Sequence, residues 1–258
     1  MNILEAKKVS VTFVSHGQKI KAVDQVDFIL PKGQTIGIVG ESGSGKSTFA
    51  RVLSGLQLPT SGIVTYNDEP IQKGKRTYAG ALRSEVQMVF QDPYGSLNPK
   101  MKIIDAVAEA VKQHQSVSKE GARQVALDLL QSMGISNTDA FKQPRSLSGG
   151  QRQRASVARA LSAQPRVLIA DEPTSAIDQS AQAQLLGLFN DLIKTGLSIV
   201  LVSHDLGVIR YLSDYVYVMK DGIFVESGKT AEIFDNPQQE YTKKLISSIP
   251  GRASSRKS

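Results

Sequence analysis

Three short apolar runs stand out along the chain: Thr35–Val39, residues 166–170, and Ser198–Ser203. Each has the length of a strand, is rich in Val, Ile or Leu without polar alternation, and gives way to a polar loop. Strands buried on both faces look like this, so the runs predict a parallel sheet covered by helices. The segments between them read as helices. Residues 46–54 run into Gly55, a natural stop, and residues 151–162 are rich in Ala and Arg with Pro165 just beyond. Gln179–Lys194 spaces Leu185, Leu186, Leu188, Phe189, Leu192 and Ile193 at near-helical intervals.

A different rhythm marks the N-terminal part. Val9, Val11 and Phe13, then Val26, Phe28 and Leu30, alternate with polar residues and predict antiparallel strands. Pro31-Lys32-Gly33 and Pro59-Thr60-Ser61-Gly62 are turn chemistry. Residues 98–141 lack strand runs, and their best helix is 119–133, with Val125, Leu127, Leu129, Leu130 and Met133 ahead of Gly134. That stretch predicts a helical insertion between two parts of the sheet. Residues 251–258 are small, polar and basic, and are expected to be a flexible tail.

Composition narrows the class. A chain of 258 residues with 40% hydrophobic content suits one or two compact domains and excludes a mostly disordered protein. No apolar run approaches the ~18 residues of a membrane-spanning helix, and residues 1–20 lack a signal-peptide pattern. With no cysteine, disulfides, zinc–thiolate sites and cysteine-bound clusters are excluded, which fits a reducing compartment. The net charge of +7 decides nothing by itself. Lys73, Lys75, Arg76 and Arg83, and Arg252, Arg256 and Lys257 in the tail, read first as solvated surface. Attraction to an anionic leaflet comes second. Nucleic acid comes last, since no recognition motif or aromatic platform accompanies the charge.

The chemistry concentrates in a few loops. Gly40-Glu41-Ser42-Gly43-Ser44-Gly45-Lys46-Ser47-Thr48 follows the first buried run and opens a helix, matching the phosphate-loop template in residues and context. Glycines let the backbone wrap a polyphosphate, and exposed amides with the positive helix end attract its charge. Lys46 should reach the β- and γ-phosphates and Ser47 should ligate Mg²⁺. A dinucleotide fingerprint would need glycine at Thr48 and does not fit. Asp171-Glu172 ends the second run. Alone it reads equally as a solvated acidic turn; beside a phosphate loop, Asp171 suits the metal shell and Glu172 suits polarising a water. Leu147-Ser148-Gly149-Gly150-Gln151 places a serine and two glycines at a helix N-terminus, a second anion site unless it is an ordinary surface loop.

Together these segments resemble the nucleotide-binding subunit of an ABC transporter over essentially the whole chain. Gly40 to Thr48 matches the Walker A motif, Leu168-Ile169-Ala170-Asp171-Glu172 the Walker B motif, and Leu147 to Gln151 the signature. Gln91 in Val89-Phe90-Gln91-Asp92-Pro93 matches the Q-loop, and Ser175-Ala176-Ile177-Asp178 the D-loop, with Ile where Leu is usual. His204 matches the switch histidine; outside this frame a lone histidine after a strand would be structural. Phe13 is the candidate for stacking on adenine, with His16 nearby as the alternative. The resemblance implies an α/β P-loop ATPase core with a mixed central sheet, an antiparallel N-terminal β-subdomain and an inserted helical subdomain near 95–155. It forms one nucleotide-binding domain over 1–250.

The resemblance also implies roles. ATP and Mg²⁺ are the cofactors. Glu172, His204 and Gln91 are the catalytic set, and Ser47, Gln91 and Asp171 the metal set. Phe13, residues 40–48, Ser148, Gly149, Gly150, Gln151 and Asp178 contact nucleotide. Two cassettes, identical or paralogous, are expected to close head-to-tail.

Only residues 92–146 separate Gln91 from the signature, which excludes the long coiled coils of chromosome-maintenance ATPases. Translation-associated members carry two cassettes per chain. Exporters usually show an acidic, Gly-containing motif before the signature, where this chain has Phe141-Lys142-Gln143-Pro144-Arg145-Ser146. Phe90 to Pro99 is similar to the Q-loop of the peptide/nickel importer group. Ile233-Phe234-Asp235-Asn236-Pro237, Tyr241-Thr242-Lys243-Lys244-Leu245 and Ile249-Pro250 are similar to its C-terminal pattern, although an amphipathic surface helix would read likewise. The expectation is therefore the energy-coupling ATPase of an importer for peptides or nickel-type metal chelates. It would sit peripherally at the cytoplasmic face of the membrane with two integral permeases, an extracytoplasmic solute-binding protein acting indirectly, and no nucleic acid. The alternative is a soluble ABC ATPase in a non-transport assembly or nucleic-acid process.

Overall fold

The computed structural model describes residues 1–15, 17–73, 77–78, 82–175 and 177–248. His16, Lys75, Arg76, Ala176, Ile249, Pro250 and the tail 251–258 lie outside the described residues. The chain forms two compact units, one of residues 1–78 and 198–258, the other of residues 79–197. No helix of the described residues is long and apolar enough to cross a membrane.

In the first unit, every residue of the strand Thr35–Val39 is buried. It lies between two parallel neighbours, Ser198–Ser203 and Tyr215–Lys220, in a register that sets Val39 beside both Ser203 and Val218. Ile223–Lys229 adds an antiparallel edge, which makes the sheet mixed. Tyr217 and Phe224 from this edge meet Phe28 and Phe49 in a ring cluster with centroids 4.8–5.5 Å apart. Phe49 belongs to the helix Lys46–Leu53, so the cluster fixes the helix that the phosphate loop opens.

The same unit carries the expected antiparallel sheet. Asn2–Ser15 pairs with Gln18–Pro31 and, on its other side, with Ser61–Tyr66. The strands are longer than the alternation suggests because the alternation changes phase. Leu4 and Ala6 are buried, then Val9 and Val11. The pairing slips between Ala6 and Val9, where Lys8 has φ 47° and forms a bulge. Phe13 stays in phase with Val11 yet is 43% exposed, opposite the exposed Ile20 near the hairpin end.

The second unit holds the parallel pair Val86–Val89 and Val167–Asp171, with Val89 beside Ala170. The predicted helical stretch is occupied by Ile103–His114, Lys119–Ser132 and the short Asn137–Ala140. Helix Lys119–Ser132 buries Ala122, Ala126 and Leu130, with Met133 just past its end; Val125, Leu127 and Leu129 are only half-buried. Small alanines at helical spacing allow close packing on Ile103–His114, whose Ile103, Ile104, Val107 and Val111 are buried. The signature helix starts two residues earlier than predicted, at Gly149–Leu161.

Candidate functional site

The phosphate loop is shaped by its glycines and closed by its lysine. Gly40 has φ 157°, and a Cβ there would stand 2.1 Å from Met219 O. Gly45 has φ 106°, and its Cβ would stand 2.2 Å from Ala22 O. No side chain fits either position. The loop is pinned from outside: Gly222 N–H donates to Ser44 O (2.9 Å), and Asp24 N–H donates to Gly222 O (2.8 Å). Lys46 is 4% exposed, and its Nζ donates to the carbonyls of Gly40 and Glu41, both at 2.8 Å. Glu41, Ser42 and Gly43 are exposed, and Ser47 and Thr48 half-buried at the start of the helix. The result is an open-mouthed loop with a buried ammonium and the positive end of a helix, a geometry that suits a polyphosphate.

His204 follows Ser203 as Gly40 follows Val39. The parallel register of those strands therefore brings the exposed His204 to the same sheet end as the loop. Its backbone is held on the downstream side. Asp205 N–H donates to Ser203 Oγ (2.9 Å), and Asp205 Oδ1 accepts from Gly207 N–H (2.8 Å) as the cap of helix Leu206–Leu212. Ligands of open parallel sheets gather at this end of the strands.

The second unit repeats the geometry with other chemistry. Asp171 ends its strand and is 3% exposed. Glu172 adopts a left-handed backbone, φ 46°, in a turn where Ser175 donates to Glu172 O from both its N–H (3.2 Å) and its Oγ (3.0 Å). A non-glycine residue held there is a local strain that the turn sustains. Gln91 Nε2 donates to Glu172 Oε2 at 3.2 Å.

In the signature, Ser148 caps helix Gly149–Leu161. Its Oγ accepts from Gln151 N–H (3.2 Å), while Gln151 Oε1 accepts from Ser148 N–H (2.9 Å), a reciprocal capping box. Gln151 Nε2 also donates to Asp139 (2.9 Å), whose carboxyl is held below its ordinary pKa chiefly by Lys142 and Ser136. A Cβ on Gly150 would stand 2.5 Å from Ala181 Cβ, so this glycine answers a packing demand within its own chain. Asp178 caps the helix that carries Ala181, accepting from Ala181 N–H at 2.9 Å.

Three further side chains, Gln153, Arg154 and Tyr241, make contacts here that the sequence does not spell out. Gln153 Nε2 donates to Phe90 O (3.4 Å), tying the signature helix to the residue before Gln91. Arg154 is 8% exposed and donates to Gln184 Oε1 (3.0 Å); burial lowers its pKa. Tyr241 Oη accepts from Glu41 N–H at 3.0 Å. The first two sit one helical turn from the signature residues, which is a readable signal; the third contact has no signal in the sequence.

Residues 23–175 match the family described as ABC transporter. The oligopeptide transport ATP-binding protein OppF of Bacillus subtilis (strain 168) is 42% identical over 251 residues, 96% of this chain and 82% of that protein. The dipeptide transport ATP-binding protein DppF of Escherichia coli (strain K12) is 43% identical over 232 residues, 90% of this chain and 70% of that one. Among solved structures, a dimeric ATP-binding cassette in a post-hydrolysis state with bound ADP and Pi superposes with a TM-score of 0.82 at 29% identity. It covers 88% of this chain and 99% of that one.

Proposed function

The chain belongs to the ABC transporter family, and on that premise we propose that it is the ATP-hydrolysing, energy-coupling subunit of a multi-subunit importer of peptides. The observation that carries this reading is the likeness to OppF over 96% of the chain, a length that includes all the motifs above. Peptides are favoured over nickel or metal-chelate solutes because both relatives are peptide transport proteins. The same likeness disfavours the non-transport alternative.

In this reading the region 1–250 acts as one nucleotide-binding domain. Residues 40–48 cradle the phosphates of ATP, Lys46 neutralises the β- and γ-phosphates, and Phe13 stacks on the adenine. Glu172 accepts a proton from the attacking water, and Gln91 holds that carboxylate in direction. His204 donates a hydrogen bond to the γ-phosphate. Mg²⁺ takes oxygen donors and keeps several waters, a preference that the Ser47 hydroxyl and the buried Asp171 carboxylate satisfy. Gln91 uses its nitrogen on Glu172, which leaves Oε1 as the atom a cation would take. When bound, the ion offsets charge on the phosphate oxygens.

Ser148 and Gly150 of one cassette cover the γ-phosphate held by Lys46 of the other, with Gly149, Gln151 and Asp178 at the same junction. Closure is favourable while the γ-phosphate bridges both halves, and hydrolysis removes the bridge. The partner cassette is identical or paralogous. Two permeases hold the pair at the cytoplasmic face of the membrane, and the solute-binding protein acts through them.

The test is purification of the tagged chain from its native membranes in mild detergent, followed by mass spectrometry. Recovery of two permeases is expected. Recovery of soluble or nucleic-acid-associated proteins alone would overturn the importer reading.

A further inference from the structure

The peptide group joining Gly40 to Glu41 is held at both ends. Its carbonyl accepts from Lys46 Nζ at 2.8 Å, and its N–H donates to the hydroxyl of Tyr241 at 3.0 Å. Tyr241 stands in the first turn of helix Glu240–Ser247. Buried Thr242 and Ile246 seat that helix, and Lys220 Nζ lies 5.2 Å from the centroid of the Tyr241 ring. Burial above all, then the nearby carboxylates of Glu41 and Asp221, keep the hydroxyl neutral, outweighing the opposing pull of the Glu41 N–H. Its oxygen therefore remains an acceptor of ordinary strength.

We propose that Tyr241 is a positioning residue for nucleotide binding: its hydroxyl fixes the Gly40–Glu41 peptide, and that peptide's carbonyl parks the Lys46 ammonium where phosphate arrives. The inference rests on residues 40–48 being the ATP phosphate loop. A peptide plane held only by Lys46 can rotate, and rotation swings the carbonyl away from the lysine. The loop must then be ordered as the nucleotide binds, at a cost in affinity. The C-terminal helix thereby becomes part of the nucleotide site, and anything that lifts it loosens the loop.

Tyr241→Phe in the full chain removes the hydroxyl and keeps the ring beside Lys220. The expected result is a rise of about two- to tenfold in both the Kd and the KM for MgATP, the scale of one hydrogen bond. The kcat at saturating ATP should be retained, and the melting temperature should move by less than about 3 °C. Lys244→Gln, an exposed change on the same helix that leaves the hydroxyl in place, should bind MgATP as the unmodified chain does. An unchanged KM in Tyr241→Phe, a fall in kcat at constant KM, or an equal loss in Lys244→Gln overturns the assignment. Lys46→Ala separates the two claims. If it binds MgATP normally, the phosphate-loop reading fails and takes the tyrosine's role with it. If it loses binding while Tyr241→Phe does not, only the tyrosine's role fails.

Discussion

Gln91 reaches Glu172 because two parallel strands run level: Val89 stands beside Ala170, and Gln91 and Glu172 each come two positions after that pair. A loop glutamine and a left-handed glutamate thus become one hydrogen-bonded pair. Removing the glutamine frees the carboxylate to turn. Gln91→Ala should lower kcat for ATP about tenfold, the scale of one hydrogen bond to a charged group, with a smaller change in ATP affinity. Steady-state ATPase assays across ATP concentrations check this.

Lys46 is firmly committed to the loop, with both carbonyl contacts at 2.8 Å and little exposure. Lys46→Ala should weaken ATP binding by about ten- to a hundredfold, as expected for charge-assisted hydrogen bonds. Equilibrium titration with a fluorescent ATP analogue reads the change.

The two signature residues separate stability from chemistry. Gly150→Ala forces a methyl against Ala181 and should destabilise the chain by about 1–3 kcal/mol, seen in thermal melts. Ser148→Tyr loses the helix cap, worth about 1 kcal/mol, and places bulk where the partner's γ-phosphate is proposed to sit. It should bind ATP normally and fail to hydrolyse it; surviving activity would argue against a shared site.

His114 is held below its ordinary pKa, first by burial and then by the charge of Arg159. The unfolded chain then binds a proton near pH 6.5 that the folded chain resists, so stability should fall as pH drops below that point. His114→Gln should flatten the slope of melting temperature against pH between about 5 and 7.

Much of this was legible in the sequence, for a physical reason. Strands buried on both faces must be apolar throughout, and the runs at Thr35–Val39 and Ser198–Ser203 fall on their strands residue for residue. The placement of the Gly-rich loop was legible too: residues 40–45 follow a buried strand and open the helix Lys46–Leu53. The edge Tyr215–Lys220 and Ile223–Lys229 was not, because half-buried Tyr215 and Tyr217 alternate with buried Val216 and Val218 in the first strand, and no residue of the second is buried. The bulge at Lys8 disguised the first strand by shifting its alternation. In Lys119–Ser132 the buried face is built on Ala122 and Ala126 with Leu130, whereas Val125, Leu127 and Leu129 from the predicted apolar set are only half-buried. The bond between Tyr241 and Glu41 joins segments far apart in the chain, and only the fold reveals it.

The central claim is that Glu172 drives hydrolysis at a site that also closes a dimer, and Glu172→Gln with MgATP tests it most directly. The substitution keeps the shape and removes the proton acceptor. ATP should still bind, hydrolysis should slow by about a hundred- to a thousandfold or more, and the chain should elute as an ATP-dependent dimer. Turnover at the unmodified rate would remove Glu172 from the chemistry and contradict the account.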